Sequence, residues 1–184
     1  STTVLRAYHN DPALRADTLT RMQGHAAADE IIQGKYWEHG KGCLVGCAIH
    51  DPEGGHAKFP AVLGIPQILA RLADRLFEGM SAADAKAFPV RFFEAIPQGA
   101  DLVLAWPRFA LALLSDPARG VARHTKEGSA ARVAIDAVVA LYRRIVDGGT
   151  VTQEEWYAAR RDAAAAAAAD AYAAAAYAAA YAAA

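Results

Sequence analysis

The sequence predicts an all-α protein: a compact multi-helix domain over residues 1–149, then a long alanine-rich C-terminal helix over 150–184. Three observations carry that expectation. The segment "PQILARLADRLFEGM" repeats apolar residues at helical spacing between a proline start and a glycine stop. Strand-type alternation of apolar and polar residues is nearly absent. The tail opens on a capping signal and then turns almost wholly to alanine, the strongest helix former.

Taken in order, the first helix is expected over Asp17 to Gln33, with Leu19, Met22, Ala26 and Ile31 or Ile32 inward and Gly34 as its stop. The second begins at Pro66. It directs Ile68, Leu69, Leu72, Leu76 and Phe77 to the core and Arg71, Asp74, Arg75 and Glu78 to solvent. Pro89, Pro97, Pro107 and Pro117 then divide the chain into short helices at "SAADAKAF", "PVRFFEAI" and "PRFALALLSD", because proline is best tolerated in a first turn. Phe88, Phe92, Phe93, Trp106, Phe109, Leu111 and Leu114 are expected to form one dense core there. From Ser129 to Asp147, Ala134, Val138, Leu141 and Ile145 recur on one face, and Gly148 and Gly149 end the helix.

The last helix starts at Thr152, which stands three residues before Glu155, the spacing of a capping box. From Gln153 it would run 32 residues, about 48 Å at 1.5 Å per residue. Of the last 22 residues 18 are alanine, and no charge follows Asp170. A helix without a polar face is ordinarily buried. The tail is therefore expected to dock on the body or on a second copy, with Tyr177 and Tyr181 on the contact stripe.

The formal charge is 19 minus 20, or −1, so no global field attracts nucleic acid or acidic lipid. No uncharged apolar run reaches the roughly 18 residues of a membrane span. With two cysteines and no charged-then-apolar leader, a reducing cytoplasm is the expected location.

Chemistry concentrates in "YWEHGKGCLVGCAIHDPEGGH". On a helix, Cys43, Cys47 and His50 would share one stripe, flanked by Gly42 and Gly46, which allow close backbone approach. The spacing of the cysteines falls within that of structural zinc sites, so zinc is a possible cofactor, with His25 or His39 completing the set. A catalytic thiol needs a neighbouring base, which His50, His39 or His25 could supply. His25, Asp29 and Glu30 form a second constellation able to bind a metal or orient a base. Ordinary structure accounts for both groups more readily, since cysteine is a frequently buried hydrophobe, glycine permits tight packing and a His/carboxylate face is common on solvated helices. The glycines at 40, 42 and 46 lack dinucleotide-loop spacing, and no strand pattern precedes them.

The strings "HAAADEIIQGKYWEHGKGCLVGCAIH" and "LGIPQILARLADRLFEG", followed by an alanine-rich terminal helix, resemble a family of uncharacterised proteins encoded in bacterial and phage genomes. The resemblance spans His25 to Gly99 and the character of the tail. It implies a bacterial or phage protein and carries over no catalytic role.

Two functional expectations follow. One is an all-α binding or assembly protein that associates with itself or another protein through its C-terminal helix. The other is a small metal- or thiol-dependent enzyme whose candidate residues are Cys43, Cys47, His50, His25, Asp29 and Glu30. The uncharged tail, which calls for a partner, favours the first.

Overall fold

The structure, a computed structural model, describes residues 4–51 and 53–182, with side chains described to residue 169. The protein is all-α. Among the described residues eight α-helices accompany a single two-stranded ribbon. The chain divides into two compact units, Ser1–Val103 and Leu104–Ala184.

In the first unit, α1 (Pro12–Ala27) begins earlier than its apolar periodicity suggests. Asp11 caps it by accepting from the Ala13 amide at 2.8 Å, and Pro12 takes the first turn, where its missing N–H costs nothing. It also ends earlier. Asp29 is left-handed at φ +54°, and the chain doubles back so that Ile32 donates to the Gly42 carbonyl at 2.8 Å and Gly42 to that of Glu30 at 3.0 Å.

That return path leads into a hairpin of β1 (Trp37–Glu38) and β2 (Lys41–Gly42), paired antiparallel with Trp37 opposite Gly42. His39 and Gly40, at φ +52° and +80°, form its two-residue turn, the geometry that suits the twist of paired strands. The hairpin feeds α2 (Leu44–Ile49), a short helix whose six residues are all buried. Then come α3 (Phe59–Leu63), α4 (Gln67–Gly79) and α5 (Ala82–Glu94). Helix α1 packs on α2 and α5, and α4 packs on α2, α3 and α5.

The core of this unit is centred on Tyr8, Met22, Leu44, Val45, Phe59, Leu63, Ile65, Phe77 and Phe93, all fully buried. Each large apolar side chain so buried contributes on the order of 1.5–3 kcal/mol. Tyr8 reaches its place through a left-handed turn shared with His9 and Asn10, and its hydroxyl donates to the Phe93 carbonyl at 2.9 Å.

Two sequence expectations are corrected here. Helix α4 is rotated so that Leu69, Ala70, Ala73 and Phe77 face inward, while Ile68 and Leu76 are each 40% exposed. Two alanines on the inner face let neighbouring elements approach, and the turn brings Asp74 off the solvent side. Residues 82–94 form one helix rather than two, with Pro89 buried inside it. The backbone hydrogen bond lost at proline is outweighed there by the Ser81 cap and the burial of Ala85 and Phe93.

The second unit consists of α6 (Ala105–Ser115), α7 (Ala130–Val146) and α8 (Gln153–Ala182), with α7 packed on both others. Ser129 caps α7, accepting from the Arg132 amide at 3.2 Å. At the start of α8 the capping box is present: Glu155 donates its amide to the Thr152 hydroxyl at 3.2 Å, and the Glu155 carboxylate accepts from the Thr152 amide at 2.8 Å. Trp106 donates to the Tyr142 hydroxyl at 3.1 Å, and Tyr142 packs on Trp156 with ring centroids 4.9 Å apart.

Gly148 and Gly149, where the sequence suggested a boundary, lie inside this unit as the turn between α7 and α8. Of the residues expected in one dense core, Phe93 alone is fully buried, in the first unit with the half-buried Phe88 and Phe92, while in the second unit Trp106, Leu111 and Leu114 are half-buried and Phe109 is exposed. The docking expectation for Tyr177 and Tyr181 lies outside the described side chains. No helix of the described residues is long and apolar enough to cross a membrane.

Candidate functional site

The sequence Gly42-Cys43-Leu44-Val45-Gly46 is fixed by backbone contact. A Cβ on Gly42 would lie 2.0 Å from the Tyr36 carbonyl oxygen and one on Gly46 would lie 1.8 Å from it. The glycines therefore admit the hairpin's entering strand, not another helix. That contact sets α2 against β1 and fixes where the residues at its two ends point.

Cys43 and His50 are both outside the helix proper. Cys43 is the extended N-cap and His50 the left-handed C-cap at φ +56°. The stripe expected of Cys43, Cys47 and His50 is broken, and the three do not converge. Cys43 faces α4, His50 faces α1, and Cys47 stays inside, donating its thiol hydrogen to the Gly42 carbonyl at 3.3 Å. Both cysteines are buried and unbridged. Burial pushes the Cys47 thiol up to about 11.

At the N-terminal end of α2 lies a cleft of about 520 Å³, lined among others by Tyr36, Cys43, Gly54, Gly55, His56, Asp74 and Glu78. The Cys43 sulfur and one carboxylate oxygen each of Asp74 and Glu78 lie within 4.8 Å of one another, the one such group of metal-type donors among the described residues. His56 Nε2 donates to Asp74 Oδ2 at 2.9 Å. Asp74 Oδ1 is buried with no hydrogen-bond partner. Glu78 Oε2 accepts from the Gly34 amide at 2.7 Å, while Gln33 caps the end of α4 by donating to the Phe77 and Met80 carbonyls at 2.7 and 3.0 Å.

Cys43 is not an activated nucleophile in this setting. Burial pushes its thiol up to about 12, and the Asp74 carboxylate adds to the shift against the pull of the Gly46 and Val45 amides. The thiol therefore keeps its proton at neutral pH. A bound cation reverses that balance, because a coordinating thiol gives up its proton to the metal's charge.

At the other end of α2 is an imidazole pair. His25 Nδ1 donates to Glu30 Oε2 at 2.6 Å, and His25 Nε2 meets His50 Nε2 at 2.5 Å. The His50 ring stacks on Trp37 with centroids 4.5 Å apart and planes 16° apart. Arg21 donates to the Ala48 carbonyl at 2.8 Å, capping the last turn of α2. His50 is held below the usual imidazole range, first by burial, then by the charges of Arg21 and His25, with Glu30 opposing them.

The remaining expected residues stay apart. Asp29 is exposed and pairs with Lys86 at 3.0 Å. His39 sits at the hairpin tip with 90% of its side chain exposed. His25, Glu30 and His50 are thus brought together across the two groups that the sequence analysis kept separate. Cys43 is joined instead by Asp74, Glu78 and His56, of which the sequence reading placed the first two on a solvated face. The signals that locate this grouping are the dipeptide His39-Gly40 between two short polar-apolar pairs, which marks the hairpin, and the alanines at 70 and 73, which mark the inner face of α4.

No family model, curated protein or solved structure matches the chain.

Proposed function

We propose that the cleft is a divalent-cation site and that the protein acts through the metal it holds there, with Cys43, Asp74 and Glu78 as ligands and His56 orienting Asp74. One observation carries the reading: the buried, unpartnered Asp74 Oδ1 stands in a group of three potential ligands within 4.8 Å of one another. A buried carboxylate oxygen without a partner costs about 1–3 kcal/mol or more, and a cation supplies the missing interaction. Thiolate with two carboxylates is a mixed soft and hard set, which suits borderline zinc better than magnesium or calcium. The hydrogen bond from His56 to Asp74 resembles the outer-shell contacts that fix ligating carboxylates. Open volume beside the ligands leaves room for a water or substrate in a further coordination position.

The thiol enzyme is the weaker form of this reading, because Cys43 without a cation holds its proton at neutral pH. Titration with Co²⁺ tests the proposal. One equivalent should bind and give a near-ultraviolet sulfur-to-cobalt charge-transfer band, displaced by Zn²⁺ and lost in Cys43→Ser. Absence of the band in the wild-type protein, or its persistence in Cys43→Ser, would overturn it.

A second reading, self-association through α8, is favoured by the composition of its outer surface. Between Ala159 and Ala166, which are buried, and Asp170, the exposed positions beyond Asp162 are Ala164, Ala165, Ala167, Ala168 and Ala169, with no charge among them. A solvated helix normally carries one.

A further inference from the structure

We infer that His25 and His50 form a separate binding site for an imidazole-preferring divalent transition metal, distinct from the Cys43 cleft and independent of it. The argument starts from the hydrogen count. A carboxylate only accepts, so the 2.6 Å contact fixes His25 as the donor at Nδ1. The neutral ring then presents a bare lone pair at Nε2. That lone pair points at His50 Nε2, 2.5 Å away. Two nitrogens at this separation share one hydrogen in an N–H···N bond, and a metal ion takes that hydrogen's place once the rings part.

The surroundings suit the metal. Glu30 behind His25 completes the carboxylate–histidine arrangement that orients metal-ligating imidazoles and raises their basicity. The His25 side chain is only 11% exposed, so its ring is held in place, while His50 lies at the surface and offers access. Arg21, which donates to the Ala48 carbonyl at 2.8 Å, brings an opposing charge toward the pair, and Glu30 offsets it.

Metal–nitrogen bonds of about 2.0–2.1 Å at a tetrahedral angle need nitrogens about 3.3 Å apart. The gap must open by about 0.8 Å, a motion available to His50 at the end of α2. With two protein ligands, the remaining positions of the ion are open to water or to a small anionic or imidazole-type ligand. Cu²⁺ heads the affinity order for such nitrogen donors, followed by Zn²⁺ and Ni²⁺.

The stack of His50 on Trp37 gives the site its own reporter, because Cu²⁺ on His50 lies beside the indole and quenches its fluorescence. The test uses the full chain carrying Cys43→Ser, so that an ion in the cleft cannot be mistaken for this one. Cu²⁺ should bind at one per chain with quenching that a chelator reverses and that Trp37→Phe abolishes. His50→Asn removes the imidazole while tolerating the left-handed backbone, and it should eliminate the bound equivalent, as should His25→Gln. Glu30→Gln should retain the stoichiometry and weaken binding 10- to 100-fold. The inference is overturned if the Cys43→Ser chain takes up no stoichiometric copper, if several weak equivalents bind without saturating the quenching, or if His50→Asn binds unchanged. Failure of the cobalt test at Cys43 leaves this result unaffected, so the two sites stand or fall separately.

Discussion

Replacing Gly46 with alanine tests the contact on which both ends of α2 depend. The new Cβ would stand 1.8 Å from the Tyr36 oxygen, 2.7 Å from the Tyr36 carbonyl carbon and 3.0 Å from Trp37 Cβ. Restoring even the tightest acceptable separation of about 3.0 Å requires the strand to move by about 1.2 Å. The obstacle is backbone, which cannot rotate away as a side-chain tip would. Overpacking of a close-packed interior costs about 1–3 kcal/mol. The same movement stretches the 3.0 Å hydrogen bond from the Cys43 amide to the Tyr36 carbonyl, worth about 1 kcal/mol.

The expected loss is therefore about 3 kcal/mol, read as a fall of about 1.5 M in the urea midpoint for a slope near 2 kcal/mol per M. Gly24, in the interior of α1, is the control, since nothing lies within 4 Å of a Cβ added there. Gly24→Ala should stabilise by about 0.5–1 kcal/mol. Trp37 fluorescence should change in Gly46→Ala and not in Gly24→Ala. If Gly46→Ala stayed within about 0.5 kcal/mol of the wild type with unaltered Trp37 emission, the close approach of Tyr36 to α2 would be wrong, and the placement of Cys43 and His50 with it.

Burial raises the Tyr8 hydroxyl from its ordinary value near 10 to about 12, so the native state holds the phenol proton more tightly than the unfolded chain. Stability is then full below pH 10 and falls as pH rises from 10 to 12, by up to about 2–3 kcal/mol; Tyr8→Phe should flatten this alkaline limb while losing about 1–2 kcal/mol at neutral pH for the unpaired Phe93 carbonyl. Removal of residues 171–184 should lower the sedimentation coefficient of an associated form if α8 mediates assembly, and identical sedimentation of the shortened and full chains at matched concentration would dismiss that reading.

The helices of this protein were written locally. Apolar spacing, the caps at Ser129 and Thr152, and the stops at Gly79 and Gly148 each depend on neighbours within a turn or two, and a helix forms where those terms agree. Of His25, Asp29 and Glu30, grouped by helical spacing, only the contact between His25 and Glu30 forms, because the helix ends before Asp29 and its left-handed backbone leaves that carboxylate to Lys86. Single residues at the boundaries were less legible. Asp11-Pro12 moved the start of α1 upstream, and Pro89 was absorbed inside α5, because capping and tertiary burial outweighed the local break.

Neither candidate site could be assembled from spacing alone. Cys43 meets Asp74 and Glu78 across about 30 residues of chain, and the meeting depends on the angle through which α4 is turned about its axis. Seven of its residues are apolar, and the choice of Leu69, Ala70, Ala73 and Phe77 over Ile68 and Leu76, with Leu72 half-buried, depends on what the facing elements can accommodate. Likewise, Cys43 and His50 looked like one stripe because their spacing is helical. The hairpin seated on Gly42 and Gly46 left only the six residues between them as helix and sent the two side chains to different neighbours. Sequence determined which segments became helices, through short-range backbone and capping energies. Tertiary structure decided which chemical groups met, because helix rotation and chain reversal are set by the packing of the whole unit.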